Sequence, residues 1–157
     1  MNKKKIIRIV IVGAGRMGQR HAEAYNKIKN VELVGFSDNV TKNANKLAKK
    51  FKIKTLTLDE ILVDNTIDAV NICTPNVDHA KISIKMLNGG KHVLVEKPMA
   101  IKLADCDKMI NVAKQKNVKL MVGQTYRFYP SSIKAKKIID AGEIGKIKLA
   151  QIHGIDP

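Results

Sequence analysis

The sequence contains no tryptophan, and aromatic residues make up only 4% of its 157 residues. A hydrophobic core must therefore be built mainly from isoleucine, valine, leucine and methionine. The two cysteines, Cys73 and Cys106, lack the spacing of a metal or redox motif, so we expect reduced thiols in a cytoplasmic protein. No apolar run approaches the length that crosses a membrane.

Acidic residues are scarce, since 14 Asp and Glu accompany 29 Lys and Arg and give a formal net charge of +15. Such an excess would attract nucleic acids or other polyanions. The lysines are scattered over predicted helix surfaces, however, and aromatic residues are not interleaved with them. We therefore favour a solvated, lysine-rich surface and no specific nucleic-acid partner; a polyanion-binding role is the less favoured alternative.

A glycine-rich turn follows the first predicted strand and precedes a helical pattern. Gly13, Gly15 and Gly18 have the spacing G-x-G-x-x-G. Gly13 would let the chain turn, Gly15 would let a diphosphate approach the backbone, and Gly18 would let the helix pack on the sheet. The first helical amides, from Arg16 through Met17 to Gly18, would then face the anion. The alternative is a turn without a ligand, because the bare pattern is common.

Predicted strands and helices alternate along the chain, which is typical of a parallel sheet wrapped by helices. Strands are predicted at 6–12, 31–36, 52–56, 68–73, 92–95 and 118–122, with one more at 146–153. Helices are predicted at 16–28, at 41–51 with Thr41 as N-cap, at 59–62, up to 87, at 103–116 and at 131–141. The expected class is α/β, a Rossmann-type doubly wound sheet with strand order 3-2-1-4-5-6.

Asp38 lies at the end of the second predicted strand, 20 residues after Gly18. A carboxylate there can accept hydrogen bonds from both ribose hydroxyls of an adenosine, and it repels a 2′-phosphate. No arginine follows it directly, so the sequence favours NAD over NADP. The alternative is an aspartate that only caps a helix or a turn.

Thr74, Pro75 and Asn76 follow the fourth predicted strand. Open parallel sheets bind ligands at the carboxyl ends of their strands, so this loop is placed to touch the phosphates or the nicotinamide ribose. It can equally be a proline turn in which Asn76 caps the next helix. The two interpretations are compatible.

Glu96, Lys97 and Pro98 follow the fifth predicted strand, at the same edge of the sheet. A glutamate at this edge could bind ribose hydroxyls. A lysine could hydrogen-bond a substrate hydroxyl and assist its proton transfer. The structural alternative is a rigid X-Pro turn, with a cis bond as one option.

The chain resembles the amino-terminal half of the Gfo/Idh/MocA oxidoreductases, which include glucose–fructose oxidoreductase and inositol dehydrogenase. The matching segments are VGAGRMGQRH at 12–21, ICTPNVDHA at 72–80, GGKHVLVEKPMA at 89–100, MVGQTYRFYP at 121–130 and AGEIGKI at 141–147. They cover nearly the whole chain. The EKP segment, preceded by GKHV, is far more specific than the glycines alone.

The resemblance implies that the glycine turn and Asp38 hold the diphosphate and adenosine ribose of NAD. It implies that residues 74–76 line the nicotinamide side and that Glu96 lies near the nicotinamide ribose. Lys97 would be the catalytic or substrate-orienting lysine. Arg127 would lie near the cleft, in a less defined role.

His21 and His79 also match family positions, and we interpret both first as packing or loop-bracing residues. Family members carry a second α/β domain that covers the active site and supplies further catalytic groups, typically an aspartate and a histidine. His153 and Asp156 lie too close to its expected start, near Gly145, to be assigned those roles. No cluster in the sequence has metal-ligand spacing.

We therefore expect residues 1–125 to form an NAD(P)-binding domain and residues 126–157 a connecting helix and the first strand of a shortened second domain. The implied activity is hydride transfer on a sugar, polyol or related hydroxyl compound, with little turnover by this chain alone. The alternative is an NAD-binding module, free-standing or completed by another chain. Apolar groups left exposed near residues 147–152 predict a homo-oligomer.

Overall fold

A parallel β-sheet forms the framework on which the candidate site is built. The computed structural model describes residues 5–151 of the chain. Within them, six strands pair in the order β3-β2-β1-β4-β5-β6, which confirms the predicted class and strand order. The strands are β1 Ile7–Val12, β2 Val31–Ser37, β3 Lys54–Thr55, β4 Ala69–Ile72, β5 His92–Val95 and β6 Leu120–Val122.

Helices cover both faces of this sheet. Among the described residues of the first 123 positions they are α1 Arg16–Tyr25, α2 Thr41–Phe51, α3 Leu58–Val63, α4 His79–Asn88 and α5 Leu103–Gln115. A further helix, α6 Pro130–Asp140, belongs to a separate unit of the chain. Successive side chains of a strand point to opposite faces. Along β1, Ile9 and Ile11 belong to the core with α1 and α2, whereas Val10 and Val12 belong to the core with α3, α4 and α5. Helices α1 and α4 therefore approach the sheet from opposite sides.

Two predicted helix boundaries are corrected by backbone hydrogen bonds. Helix α1 ends at Tyr25 rather than at residue 28, because the amides of Lys27 and Ile28 bond three residues back in a tighter turn. Thr41 is the first residue of α2 and not its N-cap. Val40 holds the N-cap position, with no side-chain hydrogen bond from the described residues.

The third and sixth strands are shorter than predicted for a common reason. Lys52 ends α2 with a left-handed φ of +58°, and Asn117 follows α5 with a φ of +52°. Each of these residues reverses the chain between helix and strand, so pairing begins only at Lys54 and at Leu120. The strands predicted at 52–56 and 118–122 therefore each begin two residues later than predicted.

The chain divides into two compact units, residues 1–123 and residues 124–157. The second unit contains a short 3-10 turn, Thr125–Phe128, and helix α6. The strand predicted at 146–153 is wrong over 146–151, because none of the described residues 124–151 forms a strand. Residues 152–153, and with them His153 and Asp156, lie outside the described residues. The assignment of this unit to a further domain stays a prediction.

No helix among residues 5–151 combines the length and the apolar character needed to span a membrane.

Candidate nucleotide-binding site

The glycine turn between β1 and α1 is built by close backbone contacts. Gly13 has a φ of +105°, and a Cβ there would lie 2.5 Å from the carbonyl of Cys73. A Cβ on Gly18 would lie 2.0 Å from the carbonyl oxygen of Gly13. Around Gly15, by contrast, no heavy atom of the described residues lies within 4 Å of such a Cβ. Two glycines thus let the turn pack closely, and the third faces open space.

The amino terminus of α1 opens onto this space, and no side chain among residues 5–151 caps its amides. Gly15 is the N-cap and supplies no side-chain oxygen, and the first turn contains Arg16 but no acidic residue. The first amides of a helix have no intrahelical partner, and the helix dipole adds partial positive charge there. This arrangement suits a bound anion such as a diphosphate.

Asp38, just after β2, is fixed against the glycine turn. Its Oδ2 accepts a hydrogen bond from the Ala14 amide at 2.7 Å, and its Oδ1 accepts one from the Val40 amide at 2.8 Å. The structure thus shows the turn-capping role that the sequence left open. A carboxylate has about four lone-pair sites, so two remain for a ligand. The ribose contact stays a prediction.

A cavity of about 970 Å³ lies at the carboxyl ends of β1, β2 and β4. Of the predicted site residues it is lined by Gly13, Gly15, Arg16, Met17, Asp38, Thr74 and Pro75. Gly18 acts in packing beneath the turn, and Asn76, Glu96 and Lys97 do not line this cavity. Arg127 belongs to the second unit, in its 3-10 turn. The cavity sits at the point where the strand order reverses, which is where such sheets bind ligands.

The donors and space of this cavity fit a dinucleotide. The Thr74 Oγ1 atom is buried without a hydrogen-bond partner among residues 5–151, so it is free to bind a ligand oxygen. The volume is near the upper end of the range for small-molecule pockets. The α1 amides and the open space at Gly15 form an anion site in this cavity, and the side chains of Asp38 and Thr74 are polar groups in the same cavity.

Sequence reasoning missed one side of this cavity. The missed lining residues include Asn43, Leu56, Thr57, Asp78 and Lys81. Leu56 and Thr57 follow β3, so the rule about carboxyl ends of strands would have found them. Thr57 also begins a T-x-x-E pattern, and its side chain and that of Glu60 form a capping box at the start of α3.

The turn after β5 buries the carboxylate of Glu96, which is 9% exposed. Its Oε1 lies 2.8 Å from Nε2 of His21 on α1, and its Oε2 accepts a hydrogen bond from the Lys97 amide at 3.2 Å. The Lys97 side chain is exposed, and the Lys97–Pro98 peptide bond is cis. The pairing with His21 had no signal in the sequence, because the two residues are 75 positions apart.

His79 is fully buried at the start of α4 and braces two loops. Its Nδ1 lies 2.7 Å from the carbonyl oxygen of Pro98, and its Nε2 lies 2.9 Å from that of Thr74. The contacts match the loop-bracing interpretation of this histidine. They join the loop after β4 to the turn after β5.

A buried polar row lies under the same edge of the sheet. The fully buried Asn71 donates a hydrogen bond to the Tyr25 hydroxyl at 2.9 Å, and its Oδ1 lies 3.5 Å from the Cys73 sulfur. Burial raises the pKa of the Cys73 thiol to about 12, and the negative charge of Glu96 adds to the effect. Burial also raises the pKa of Tyr25 above its ordinary value. Both groups are therefore neutral at physiological pH.

The sheet order, the glycine turn, the uncapped helix and the carboxylate after β2 together define a Rossmann-type dinucleotide-binding domain. Comparison with known families agrees, because residues 7–124 match the Gfo/Idh/MocA model, described as "Oxidoreductase family, NAD-binding Rossmann fold". The chain belongs to this family, whose domain is described as an NAD-binding fold. Among residues 5–151, no group of three or more His, Cys, Asp or Glu side chains could hold a metal ion.

Similar proteins include dehydrogenases of inositols. The chain is 33% identical over 151 residues to an inositol 2-dehydrogenase of Rhizobium meliloti, covering 96% of this chain and 46% of that protein. It is 36% identical over 140 residues to a 4-carboxy-2-hydroxymuconate-6-semialdehyde dehydrogenase of Sphingobium sp., covering 88% and 44%. A solved scyllo-inositol dehydrogenase of Lactobacillus casei with bound NAD(H) and scyllo-inositol has a TM-score of 0.82 and 32% identity, covering 90% and 43%. The chain thus spans less than half the length of these relatives.

Proposed function

We propose that NAD binds in the 970 Å³ cavity and that this chain is the cofactor-binding part of a dehydrogenase acting on a sugar or polyol hydroxyl. The observation that carries the proposal is the open space above Gly15, next to uncapped helix amides and within the same cavity as Asp38. The sugar and polyol class is supported by relatives named as inositol dehydrogenases.

The proposed cofactor contacts are supported in part by the geometry of the cavity and in part by the family resemblance. The diphosphate would lie against the amides of Arg16, Met17 and Gly18, above Gly15. The carboxylate of Asp38 has lone pairs left for the adenosine ribose. Residues 74–76 would line the nicotinamide side, where the free Thr74 hydroxyl is available. Glu96 near the nicotinamide ribose and Arg127 near the cleft remain the expectations that the family resemblance implies.

Lys97 is the chain's candidate for proton handling. Bound NAD would supply the hydride acceptor. The exposed ammonium of Lys97 would hydrogen-bond the substrate hydroxyl and hold it in place, and in its neutral form the amine would accept the hydroxyl proton. The protein would thereby orient the substrate, while the redox chemistry belongs to the cofactor.

A titration with NADH and NADPH, followed by fluorescence, tests the cofactor assignment. We expect the parent chain to bind NADH at least about tenfold more tightly than NADPH, because Asp38 repels a 2′-phosphate. Asp38→Asn should weaken NADH binding and reduce this preference. Asp59→Asn changes an exposed aspartate of α3 and is the matched control. It should change neither the NADH affinity nor the preference for NADH over NADPH. Equal affinity of the parent for both cofactors would contradict the role of Asp38, and no binding of either would contradict the proposed site.

We also propose a cytoplasmic location and a homo-oligomeric state. Two free cysteines, Cys73 and Cys106, support a reducing compartment. Exposed apolar residues of the second unit, such as Ile144 and Leu149, support self-association. Light scattering over a concentration series tests the second point, and a constant monomer mass would contradict it.

A further inference from the structure

Two histidines contact the turn after β5 from opposite faces of the sheet. His21 lies on α1, and its Nε2 is 2.8 Å from Oε1 of Glu96. His79 lies on α4, and its Nδ1 is 2.7 Å from the carbonyl oxygen of Pro98. The residue between these two contact points is Lys97. Its backbone is therefore held on both sides, while its side chain stays exposed.

The contact at Glu96 is strong because the carboxylate is buried. A buried carboxylate that loses its partner carries an uncompensated charge, which is strongly destabilising. The same carboxylate accepts a hydrogen bond from the Lys97 amide at 3.2 Å through its other oxygen. The Glu96 side chain therefore connects His21 directly to the backbone of Lys97.

The contact at Pro98 is fixed by the orientation of the His79 ring. The other ring nitrogen, Nε2, lies 2.9 Å from the carbonyl oxygen of Thr74. A flipped ring would put carbon atoms at these positions, closer than the roughly 3.3 Å at which C–H groups approach oxygen. Both nitrogens thus face carbonyl oxygens, and His79 links the Pro98 turn to the Thr74 loop.

We propose that His21 and His79 are positioning residues that hold the Glu96–Pro98 turn from the two faces of the sheet and thereby fix the place of Lys97. The inference rests on the proposed role of Lys97 at the nicotinamide end of the cleft. Neither histidine is assigned a contact with cofactor or substrate. Their effect on that end of the cleft passes through the backbone of the turn.

Paired variants separate the donor function of each histidine from simple packing. His21→Gln keeps a donor near the position of Nε2, whereas His21→Leu removes it. His79→Asn keeps a donor near Nδ1 and hence toward Pro98, whereas His79→Gln keeps one near Nε2 and hence toward Thr74. His92→Gln is the matched control, because this histidine lies at the other end of β5, where its Nδ1 accepts a bond from the Lys119 amide.

Two measurements report on the turn in the 157-residue chain. The first is the amide resonance of Lys97 in the ligand-free protein, observed by NMR. The second compares the affinity for NADH with the affinity for ADP-ribose, which lacks the nicotinamide. A change at the turn after β5 should affect NADH alone, since ADP-ribose reports on the glycine turn and Asp38.

We expect His21→Leu and His79→Gln to move the Lys97 amide resonance and to weaken NADH binding by about tenfold, with ADP-ribose affinity within about twofold of the parent. His21→Gln, His79→Asn and the His92→Gln control should stay close to the parent in both measurements. Parent-like behaviour of His21→Gln and His79→Asn, which keep the donors toward Glu96 and Pro98, is an outcome that packing alone would not give.

Three results would overturn the inference: an unmoved Lys97 resonance in both His21→Leu and His79→Gln, an equal loss of affinity for NADH and ADP-ribose in these two variants, or no difference within either pair of variants. Failure of the proposed function gives a different result, since the parent would then bind neither NADH nor ADP-ribose. The NMR comparison still decides the positioning role in that case, because it needs no ligand.

Discussion

Alanine substitutions at two glycines of the same turn should have opposite consequences. At Gly18 the added Cβ would lie 2.0 Å from the Gly13 carbonyl oxygen and 3.3 Å from the Ile11 side chain. Backbone must move to relieve this contact, which costs up to about 3 kcal/mol, offset by about 1 kcal/mol of helix propensity. The net loss of about 2 kcal/mol corresponds to a melting temperature lower by ~4–8 °C.

At Gly15 the added Cβ meets no heavy atom of residues 5–151 within 4 Å, and the φ of −85° is allowed for alanine. The weaker N-cap and the reduced freedom of the unfolded chain nearly cancel, so stability should change by less than about 0.5 kcal/mol. The methyl group would occupy the space proposed for the diphosphate. We expect NADH affinity to fall at least about tenfold, equivalent to 1.4 kcal/mol.

Thermal unfolding and NADH titration of the two variants, measured beside the parent, test both expectations. Each variant serves as the control for the other, since one should lose stability and the other affinity. If Gly15→Ala binds NADH as tightly as the parent, the diphosphate does not lie at this turn. If Gly18→Ala melts with the parent, the close contact of α1 with the turn is not what requires glycine there.

Three further outcomes follow from exposed and buried side chains. Lys97→Ala should leave NADH affinity and melting temperature nearly unchanged, because the side chain is exposed and is assigned to the substrate; calorimetric titration checks this, and a collapse of binding would contradict the assignment. Hydrogen bonds from Thr57 lower the pKa of Glu60 below 4.5, so its ionised form stabilises the fold above that pH and the benefit disappears as pH falls through the folded pKa. Urea unfolding of Glu60→Gln should therefore show a deficit in unfolding free energy at pH 7 that shrinks as the pH falls through the folded pKa of Glu60; a deficit that stays constant with pH would refute the linkage. Because the thiol pKa is raised to about 12, Cys73 should resist iodoacetamide at pH 8 in the folded chain and react in urea, as read by mass spectrometry; rapid labelling of the folded chain would count against this burial.

Local patterns in the sequence were enough to predict the sheet and much of the cavity. The central strands of the sheet are rich in apolar residues, and such folds bind ligands at the carboxyl ends of their strands, so Gly13, Asp38 and Thr74 could be placed at one edge. The capping box at Thr57 and Glu60 also carried a local signal, although it was missed.

Contacts between distant residues could not be predicted in the same way. The pairing of His21 with Glu96 depends on how α1 lies across the sheet, which no local pattern encodes. The predicted strand near residue 147 failed for the opposite reason: its apolar residues are compatible with a strand, but a strand needs a neighbour to bond with. The composition of a segment sets its propensity for strand or helix, but a strand forms only where a neighbouring strand can accept and donate its backbone hydrogen bonds.

The fixed carboxylate of Asp38 has a consequence for recognition. Two backbone amides, of Ala14 and Val40, hold it in place. Immobilising a flexible side chain on binding costs about 0.5–1.5 kcal/mol, and a ligand that meets Asp38 avoids this loss of rotational freedom. The end of the cleft proposed for the adenosine is thus preorganised: the carboxylate that would select the nucleotide takes its position when the chain folds.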